Sequence, residues 1–377
     1  MLSDRVSPLR VMTVFGTRPG AVKMAPVVQR LRATPSVETR VCVTAQHRQM
    51  LDQVLHLFAI QPDYDLNVMR PGQTLAEVTS SVLQGLEPVL AAARPDWVLV
   101  QGDTTTTMAA ALAAFYHGVR VGHVEAGLRT GNKRHPFPEE INRKLTTALT
   151  DLHFAPTETS RQNLLREGVP DAAIHVTGNP VIDALLDIAG RPYDWTAGPL
   201  AAVPRDRRLV LVTAHRHENF GQPIRDICQA LRRLAERYAG DVHLVYPVHL
   251  NPNIQTPVYT LLEGLPNLSL LPPLDYLPLI HLMQAATLVL TDSGGLQEEA
   301  PSLGKPVLVM RETTERPEGV AAGTARLVGT DPAAIVAAVS QLLDDPAAYA
   351  QMAHAVNPYG DGQAAARIVE ALVGRQG

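Results

Sequence analysis

The fold is decided by one stretch in the first half of the chain, WVLVQGDTTTTMAAALAAFYHGVRVGHV, at residues 97–124. It predicts a buried strand at Trp97–Val100, a helix at Thr105–Tyr116 and a second strand at Val119–Val124. The candidate strands of this chain are continuous apolar runs, which is typical of parallel strands that helices cover on both faces. The stretch therefore predicts an α/β protein built on a parallel sheet.

The same alternation of strand and helix continues toward both ends of the chain. Further strands are predicted at Val11–Phe15, Thr39–Val43, Arg208–Thr213, Val242–Val245, Thr287–Leu290 and Pro306–Val309, and further helices at Ala21–Leu31, Leu75–Ala93 and Ile224–Tyr238. The pattern starts again at Arg208, after a segment rich in Pro, Gly and Ala. We therefore expect two doubly wound Rossmann-like domains facing a central cleft, residues 1–188 and 189–359, with a C-terminal helix in 360–377 that joins the first domain.

Composition excludes several classes of protein. The 377 residues are 46% hydrophobic and 19% charged, which is typical of a folded chain, and the net charge of −4 argues against a general nucleic-acid binder. The two cysteines, Cys42 and Cys228, exclude a disulfide scaffold in a chain of this size. The apolar stretches fall short of the ~18 residues that a membrane span needs. We expect a soluble, cytoplasmic protein.

Ligands of open α/β sheets bind beyond the carboxyl ends of the strands, so the residues that follow each strand are the candidates for a site. Gly16–Lys23 is a Gly-rich turn that enters a helix, and Arg18 and Lys23 add two cations, a combination that favours phosphate. The turn matches neither the dinucleotide-binding GxGxxG pattern nor the Walker A pattern. The alternative interpretation is a tight turn with two solvated charges.

Three carboxylates follow strands or begin a helix in the first domain. Asp103 and Glu125 each end a strand, so they could face one cleft together, and paired carboxylates suit acid–base chemistry because one can hold its neighbour protonated. Asp103 could instead cap the helix that follows it. Glu139 begins another helix, where it is expected to pair with Arg143 at i,i+4.

The second domain carries the sharpest local pattern, TDSGGLQEE at residues 291–299. Its two glycines allow close approach of a ligand, and the helix that follows presents free N–H groups to a phosphate. Glu299 could accept hydrogen bonds from a ribose diol. His215 and Arg216 follow another strand and indicate phosphate binding rather than a metal site. Together these patterns indicate a nucleotide-sugar enzyme.

Nine blocks of sequence between Val11 and the last helix carry a resemblance to a known family. They are FGTRPGAVKMAP, CVTAQHRQMLDQVL, QGDTTTT, GHVEAGLRTG, PFPEEINR, FAPTETSRQNLL, YPVHLNPN, TDSGGLQEEAPSLGKPVLVMR and TTERPEGV. With them the chain resembles the bacterial non-hydrolysing UDP-N-acetylglucosamine 2-epimerases, which have a two-domain GT-B glycosyltransferase-like fold. The resemblance implies that fold here.

The resemblance also implies roles for three groups of residues. The acid–base carboxylates and their electrostatic partners are Asp103, Glu125, Glu139, Arg143 and His215. The residues that hold the UDP part are Arg18, Lys23, His215, Leu274, Leu279, Ser293, Gly294, Gly295, Glu299 and Arg316. The residues that match an allosteric site for a second substrate molecule are Gln46, His47, Gln49, Gln73, Arg216 and His249.

The chain departs from the family pattern at two glycines. Gly20 stands where the family usually has Glu, which removes a carboxylate from the first loop. Gly72 stands where members with a described allosteric site tend to carry Arg, and a buried diphosphate that lacks one Arg is costly to hold. We therefore expect weak or absent activation by substrate, with a Hill coefficient near one.

The implied reaction is the reversible C2 epimerisation of UDP-N-acetylglucosamine to UDP-N-acetylmannosamine, by a homodimer that supplies N-acetylmannosamine for cell-surface polysaccharide. The C2 proton is not acidic, because no carbonyl lies beside it. Since the sequence has no dinucleotide fingerprint, we expect no cofactor and departure of UDP to give 2-acetamidoglucal. The alternatives are a hydrolysing epimerase, a GT-B glycosyltransferase that uses a UDP-sugar, and a non-catalytic nucleotide-sugar sensor.

Overall fold

The structure, a computed structural model, describes residues 7–44, 48–70 and 72–374. It divides into two compact units. Unit 1 comprises Met1–Ala184 and Tyr359–Gly377, and unit 2 comprises Leu185–Pro358. The division lies within the helix Pro180–Ala189, close to the boundary at residue 189 that the sequence predicts.

Unit 1 is built on a parallel sheet of seven strands in the order β3-β2-β1-β4-β5-β6-β7. The strands are β1 Leu9–Phe15, β2 Val37–Val43, β3 Tyr64–Asp65, β4 Trp97–Gln101, β5 Arg120–Val124, β6 Leu152–Ala155 and β7 Ile174–Val176. The strand order reverses between β1 and β4, which is the switch point where ligands of doubly wound sheets bind. The loop after β4 carries the predicted Asp103, and the helix that follows β1 carries the predicted Lys23.

In the described part of the chain, eight helices lie wholly or partly in unit 1, and one of them, Pro180–Ala189, is divided equally between the two units. They are α1 Arg18–Arg32, α2 Arg48–Leu57, α3 Leu75–Ala93, α4 Thr105–Tyr116, α5 Glu139–Leu149, α6 Glu158–Arg166, α7 Pro180–Ala189 and the C-terminal α15 Ala364–Val373. A short 3₁₀ turn lies at Asp171–Ala173. Helix α15 packs on α1, and Asp183 accepts hydrogen bonds from the first backbone amides of α15, those of Ala364 and Ala365.

Threonines start the helices that follow the functional loops. The Thr104 side chain accepts from Thr107 N at 3.2 Å and caps α4. Thr17 caps α1 in the same way by accepting from Gly20 N at 3.1 Å. Because Thr104 rather than Asp103 satisfies the helix start, the Asp103 carboxylate is available for another role.

The core of unit 1 lies between the central strands and helices α3 and α4. Met12, Val98 and Val100 from the sheet pack against the alanines of α4, and all are at most 3% exposed. Alanine side chains let α4 lie close to the sheet, which brings its N-terminus to the carboxyl end of β4. Packing therefore fixes where the loop of Asp103 lies.

Unit 2 repeats the architecture with six parallel strands in the order β10-β9-β8-β11-β12-β13. The strands are β8 Arg208–Thr213, β9 Val242–Pro247, β10 Leu268–Leu271, β11 Ala286–Thr291, β12 Val307–Val309 and β13 Ala325–Leu327. The helices are α8 Gln222–Arg237, α9 Pro252–Leu262, α10 Tyr276–Ala285, α11 Gly294–Ser302, α12 Pro317–Ala321, α13 Pro332–Asp344 and α14 Pro346–Ala353, with 3₁₀ turns at Gly198–Leu200 and His217–Asn219.

The predicted fold class, α/β with two doubly wound parallel sheets, is confirmed. Five short strands escaped the sequence analysis, namely β3, β6, β7, β10 and β13. Each has two to four residues, too few to form a distinct apolar run.

Across the described parts of the chain, no helix combines the length and the apolar character that crossing a membrane requires.

We predict that Gly127→Ala lowers the free energy of unfolding by about 2–4 kcal/mol. Gly127 follows β5 with φ +87°, and a Cβ there would lie 2.3 Å from the backbone carbonyl oxygen of Ser160 in α6. Gly131→Ala is the matched control, because Gly131 has φ +74° but no atom within 4 Å of its Cβ position. Chemical denaturation should show a larger loss for Gly127→Ala, and equal losses would contradict this explanation.

Candidate functional site

Glu125 is a buried side chain of unit 1 that several contacts hold in place. It follows β5 in the left-handed region at φ +66°, a conformation that costs a non-glycine residue about 1 kcal/mol. Its carboxylate is 5% exposed and accepts from three side chains. Lys23 Nζ donates to Oε1 at 2.5 Å, Asn179 Nδ2 donates to Oε1 at 3.1 Å, and Gln101 Nε2 donates to Oε2. The arrangement holds Glu125 as an ionised carboxylate in a fixed direction.

The three donors come from separate elements. Lys23 lies in the second turn of α1, Gln101 is the last residue of β4, and Asn179 lies between β7 and α7. Gly20 belongs to the same neighbourhood, because a Cβ on it would lie 3.1 Å from Gln101 Oε1. The glycine that departs from the family pattern thus leaves room for the amide that holds Glu125.

Asp103 forms a second charged pair in unit 1. Arg143 donates to Asp103 Oδ2 from Nε at 3.0 Å and from Nη2 at 2.6 Å, while Asp103 remains 28% exposed. The loop before it is fixed by His123, whose pKa burial lowers to about 4. His123 is therefore neutral, and its Nε2–H donates to the Gly102 carbonyl at 2.8 Å.

The expected pairing of Glu139 with Arg143 is wrong. Arg143 instead donates from Nη1 to Glu140 Oε2 at 3.0 Å, three residues away on the same helix. Glu140 is fully buried and also accepts from the backbone amides of Thr130 and Gly131. Burial alone would raise the pKa of Glu140, but those two amides and Arg143 lower it below its ordinary value. The helix start thus turns Glu140, not Glu139, toward the guanidinium.

Glu139 is half-buried at the first position of α5, and its Oε2 is buried without a partner among the residues that the structure describes. No hydrogen bond or ion pair joins it to Asp103 or Glu125 in that part of the chain. Arg18 is the first residue of α1 and is half-buried. Among the predicted residues of unit 1, the structure therefore pairs Glu125 with Lys23 and Asp103 with Arg143.

In unit 2, the loop after β8 is fixed by Asp292, which follows β11. Asp292 is fully buried, and its Oδ2 accepts from the backbone amides of His215 and Arg216 at 2.8 Å each and from Asn219 Nδ2 at 2.9 Å. The second oxygen, Oδ1, lies 3.0 Å from His215 Nδ1. The His215 side chain is 38% exposed, so its ring is held from one side and open on another.

The N-terminus of α11 lies beside this loop. Ser293 is its N-cap residue, and Gly294 and Gly295 form the first turn, as the phosphate-binding interpretation requires. Glu315 Oε1 lies only 2.8 Å from the position that a Gly294 Cβ would occupy, and Arg216 Nη2 pairs with the same oxygen at 2.7 Å. Although Glu315 is largely buried, Arg216 and Arg311 lower its pKa to about 2.

The other predicted UDP residues of unit 2 lie around α10 and α11. Glu299 is buried, and Tyr276 Oη donates to its Oε1 at 2.9 Å. Arg316 pairs with Glu298. Leu274 is buried in the loop before α10, and Leu279 is half-buried within that helix. Glu299, within α11, thus contacts α10, and Arg316 contacts α11.

The residues that match a second substrate site are only partly described. Gln46 and His47 lie outside the described residues, as does the side chain of Gln49. Gln73 folds its own loop by accepting from Arg70 N and donating to the Val68 carbonyl. Gly72 has φ +76°, where an Arg would be strained, and the His249 ring stacks on His215 at 5.8 Å. Weak activation by substrate stays a prediction.

Sequence reasoning missed four residues that organise these two places, namely Gln101, Asn179, Glu140 and Asp292. The sequence does mark Gln101 and Asp292 as candidates, because each stands at the carboxyl end of a central strand, in QGDTTTT and TDSGGLQEE respectively. Asn179 and Glu140 give no local signal, since their partners are distant in sequence or depend on helix rotation.

Within the described ranges, no group of three or more His, Cys, Asp or Glu is placed to hold a metal ion.

Comparisons with known proteins point to one family. The sequence profile described as UDP-N-acetylglucosamine 2-epimerase matches residues 29–373. The UDP-N-acetylglucosamine 2-epimerase of Escherichia coli K12 is 58% identical over 370 residues, which are 97% of this chain and 98% of the relative.

Solved structures agree with the sequence relatives. A crystal structure of the UDP-GlcNAc 2-epimerase from Neisseria meningitidis, bound to UDP-GlcNAc, is similar with a TM-score of 0.88 and 49% identity, covering 97% of this chain and 100% of that one. The glycotransferase of kitacinnamycin shares the fold at a TM-score of 0.66 and 15% identity, over 96% of this chain and 98% of that one.

We predict that Glu140→Gln lowers the free energy of unfolding by about 1.5–3 kcal/mol at neutral pH, because it removes the charged partner of Arg143. A carboxyl whose pKa folding lowers contributes stability above its unfolded pKa, near 4.5, and loses it as pH falls through the folded value. The difference from wild type should therefore shrink below about pH 4.5 in urea unfolding. Glu139→Gln, the adjacent control, should cost less at neutral pH. A difference that does not change with pH would contradict the ionised Glu140.

Proposed function

The chain belongs to the UDP-N-acetylglucosamine 2-epimerase family, and we propose that it interconverts UDP-N-acetylglucosamine and UDP-N-acetylmannosamine without hydrolysing them. Similarity over nearly the whole length of the relatives supports this assignment. The single observation that carries the chemistry is Glu125, a carboxylate aimed by Lys23, Gln101 and Asn179 at the carboxyl end of a central strand. Such a fixed carboxylate suits proton transfer at carbon.

We propose that the reaction proceeds by elimination. The C1–O bond breaks and its electron pair leaves with UDP. A carboxylate takes the proton from C2, and the electrons of that C–H bond form the C1=C2 double bond of 2-acetamidoglucal. Protonation of C2 from the other face and attack of the UDP oxygen at C1 then give the epimer. The bonds, protons and electrons of these steps balance without a redox cofactor.

The two units support different parts of this scheme. Unit 1 supplies Glu125 and Asp103 for acid–base work, with Arg143 orienting Asp103. Glu139, whose Oε2 has no partner in the described part of the chain, is the third candidate acid or base. In unit 2 the free amides at the start of α11 suit the negative charge that develops on the departing diphosphate.

Further residues are assigned to the UDP part on the strength of the family resemblance. Glu299 is suited to the ribose, because Tyr276 fixes one carboxylate oxygen. Arg18 and Arg316 supply cations, and His215 lies next to the start of α11. Lys23 has a second function beside any contact with UDP, since it pairs with Glu125 in this structure.

We also propose a homodimer that works in the cytoplasm and supplies N-acetylmannosamine for cell-surface polysaccharide, as the resemblance implies. Exposed apolar side chains support the dimer. Phe115 and Tyr116 end α4 at 59% and 71% exposure, and Leu145 on the adjoining α5 is 47% exposed. Single exposed apolar residues are common, but neighbouring ones on two packed helices are typical of an interface.

We predict that the protein, given UDP-N-acetylglucosamine alone in D₂O, forms UDP-N-acetylmannosamine that carries deuterium at C2. Elimination requires this exchange, because the abstracted proton mixes with solvent before C2 is protonated again. Mass spectrometry and NMR of the products measure it. Free N-acetylmannosamine and UDP as the final products would indicate a hydrolysing enzyme, and no product without an added acceptor would indicate a transferase or a sensor.

We predict that Asp103→Asn and Glu125→Gln each lower turnover by ~10²–10⁴-fold while the fold is kept, because each removes an acid–base group. Asp171→Asn is the matched control. Asp171 also pairs with an arginine at 2.6 Å, but this pair with Arg161 lies on the surface of α6. Initial rates decide the matter. Near-normal turnover in Asp103→Asn or Glu125→Gln, or an equal loss in Asp171→Asn, would refute the catalytic role.

A further inference from the structure

Asp292 is a buried carboxylate whose two oxygens face different partners. Oδ2 accepts three hydrogen bonds, from the backbone amides of His215 and Arg216 and from Asn219 Nδ2. Those bonds hold the loop after β8 and would suffice for a purely structural role. Asp292 is 0% exposed, so its charge must be stabilised by these donors.

Oδ1 faces only the imidazole of His215. It lies 3.0 Å from Nδ1, and it has no hydrogen bond of standard geometry to any residue in the described part of the chain. A carboxylate oxygen only accepts, and an unprotonated Nδ1 at this distance would turn a second lone pair toward it, so the contact favours a proton on Nδ1. Burial favours the neutral acid, but His215 and the backbone amides of the loop lower the pKa of Asp292, which therefore stays ionised.

We infer that Asp292 is a positioning residue that fixes His215 in the Nδ1–H tautomer and leaves Nε2 as the ring nitrogen available to the ligand. In the neutral ring Nε2 then accepts a proton, and the imidazolium that forms is stabilised by the fixed negative charge of Asp292. His215 thereby serves as a donor toward a phosphate oxygen of UDP. Asp292 itself touches only the protein.

The remaining charged groups around the ring favour this arrangement. His249, after β9, stacks on the His215 ring, and burial together with the charge of His215 lowers the pKa of His249 below its ordinary value. His249 thus tends to stay neutral beside a protonated His215. Arg216 and His217 lie on the same loop as His215, and Arg216 pairs with Glu315. Asp292 is the anion in closest contact with the ring.

The role of His215 toward UDP rests on the proposed function, whereas its tautomer does not. In the elimination, the diphosphate gains charge as the C1–O bond breaks, and a proton or hydrogen bond from Nε2 stabilises it. In the return step the same nitrogen takes the proton back. Asp292 therefore acts on the reaction only through the protonation state of His215.

The first test is the tautomer of His215 in the wild-type protein without substrate. Two-bond ¹H–¹⁵N correlation spectra of ¹⁵N-histidine-labelled protein distinguish the tautomers, and the His215→Gln variant identifies the signal among the thirteen histidines. At a pH about two units above the ordinary His value of ~6.5, we expect a neutral ring with its proton on Nδ1. A neutral Nε2–H ring would overturn the inference, whatever the activity of the enzyme.

The second test compares Asp292→Asn with Asn219→Ala. In Asp292→Asn the amide oxygen can keep the loop bonds while the NH₂ group meets Nδ1, so His215 should switch to Nε2–H and kcat should fall about 10²-fold or more. Asn219→Ala removes a loop bond to Oδ2 and should leave the tautomer unchanged. An unchanged tautomer or near-normal kcat in Asp292→Asn overturns the inference. If that variant does not fold, the wild-type spectrum still decides.

Discussion

The contact between Lys23 and Glu125 is the constraint on which the candidate site of unit 1 depends. A carboxylate that is 5% exposed would be costly without a charged partner, and Lys23 at 2.5 Å supplies one. The two amides of Gln101 and Asn179 then fix its direction. Because these partners come from α1, β4 and the segment after β7, the site can form only once most of the sheet has assembled. The left-handed backbone of Glu125 is held in place by the same contacts.

Unit 2 uses a buried carboxylate for a different purpose. Asp292, like Glu125, follows a strand near the middle of its sheet and accepts from several donors. Glu125 accepts from an ammonium and two amides, and we propose that it acts as a base. Asp292 accepts from two backbone amides and Asn219 through Oδ2 and faces His215 with Oδ1, so it orients its neighbours. Both carboxylates lie at the carboxyl end of a strand, and the hydrogen-bond donors around each one distinguish their proposed roles.

The sequence predicted the parts of this structure that depend on local chemistry. The bounds of α3, α4 and β8 match the prediction, because the caps Thr74 and Thr104 and the apolar run of β8 are local signals. Strands such as β3, with two residues, depend on pairing with a neighbour and leave no pattern of their own. The Arg143 pairing was mistaken because i,i+3 and i,i+4 partners differ only in helix rotation. The hydrogen bond of Asn179 spans 54 residues, and no local pattern reveals it.

The proposed chemistry is breaking of the C1–O bond followed by proton transfer at C2, and one isotope measurement tests it directly. UDP-N-acetylglucosamine is prepared with ¹⁸O in the bridge between C1 and the β-phosphorus and incubated with the wild-type protein. If UDP departs, its β-phosphate can rotate before it returns, and ¹⁸O should move into non-bridging positions of the recovered UDP-sugars. Epimerisation in which all the ¹⁸O stays in the bridge would contradict the account.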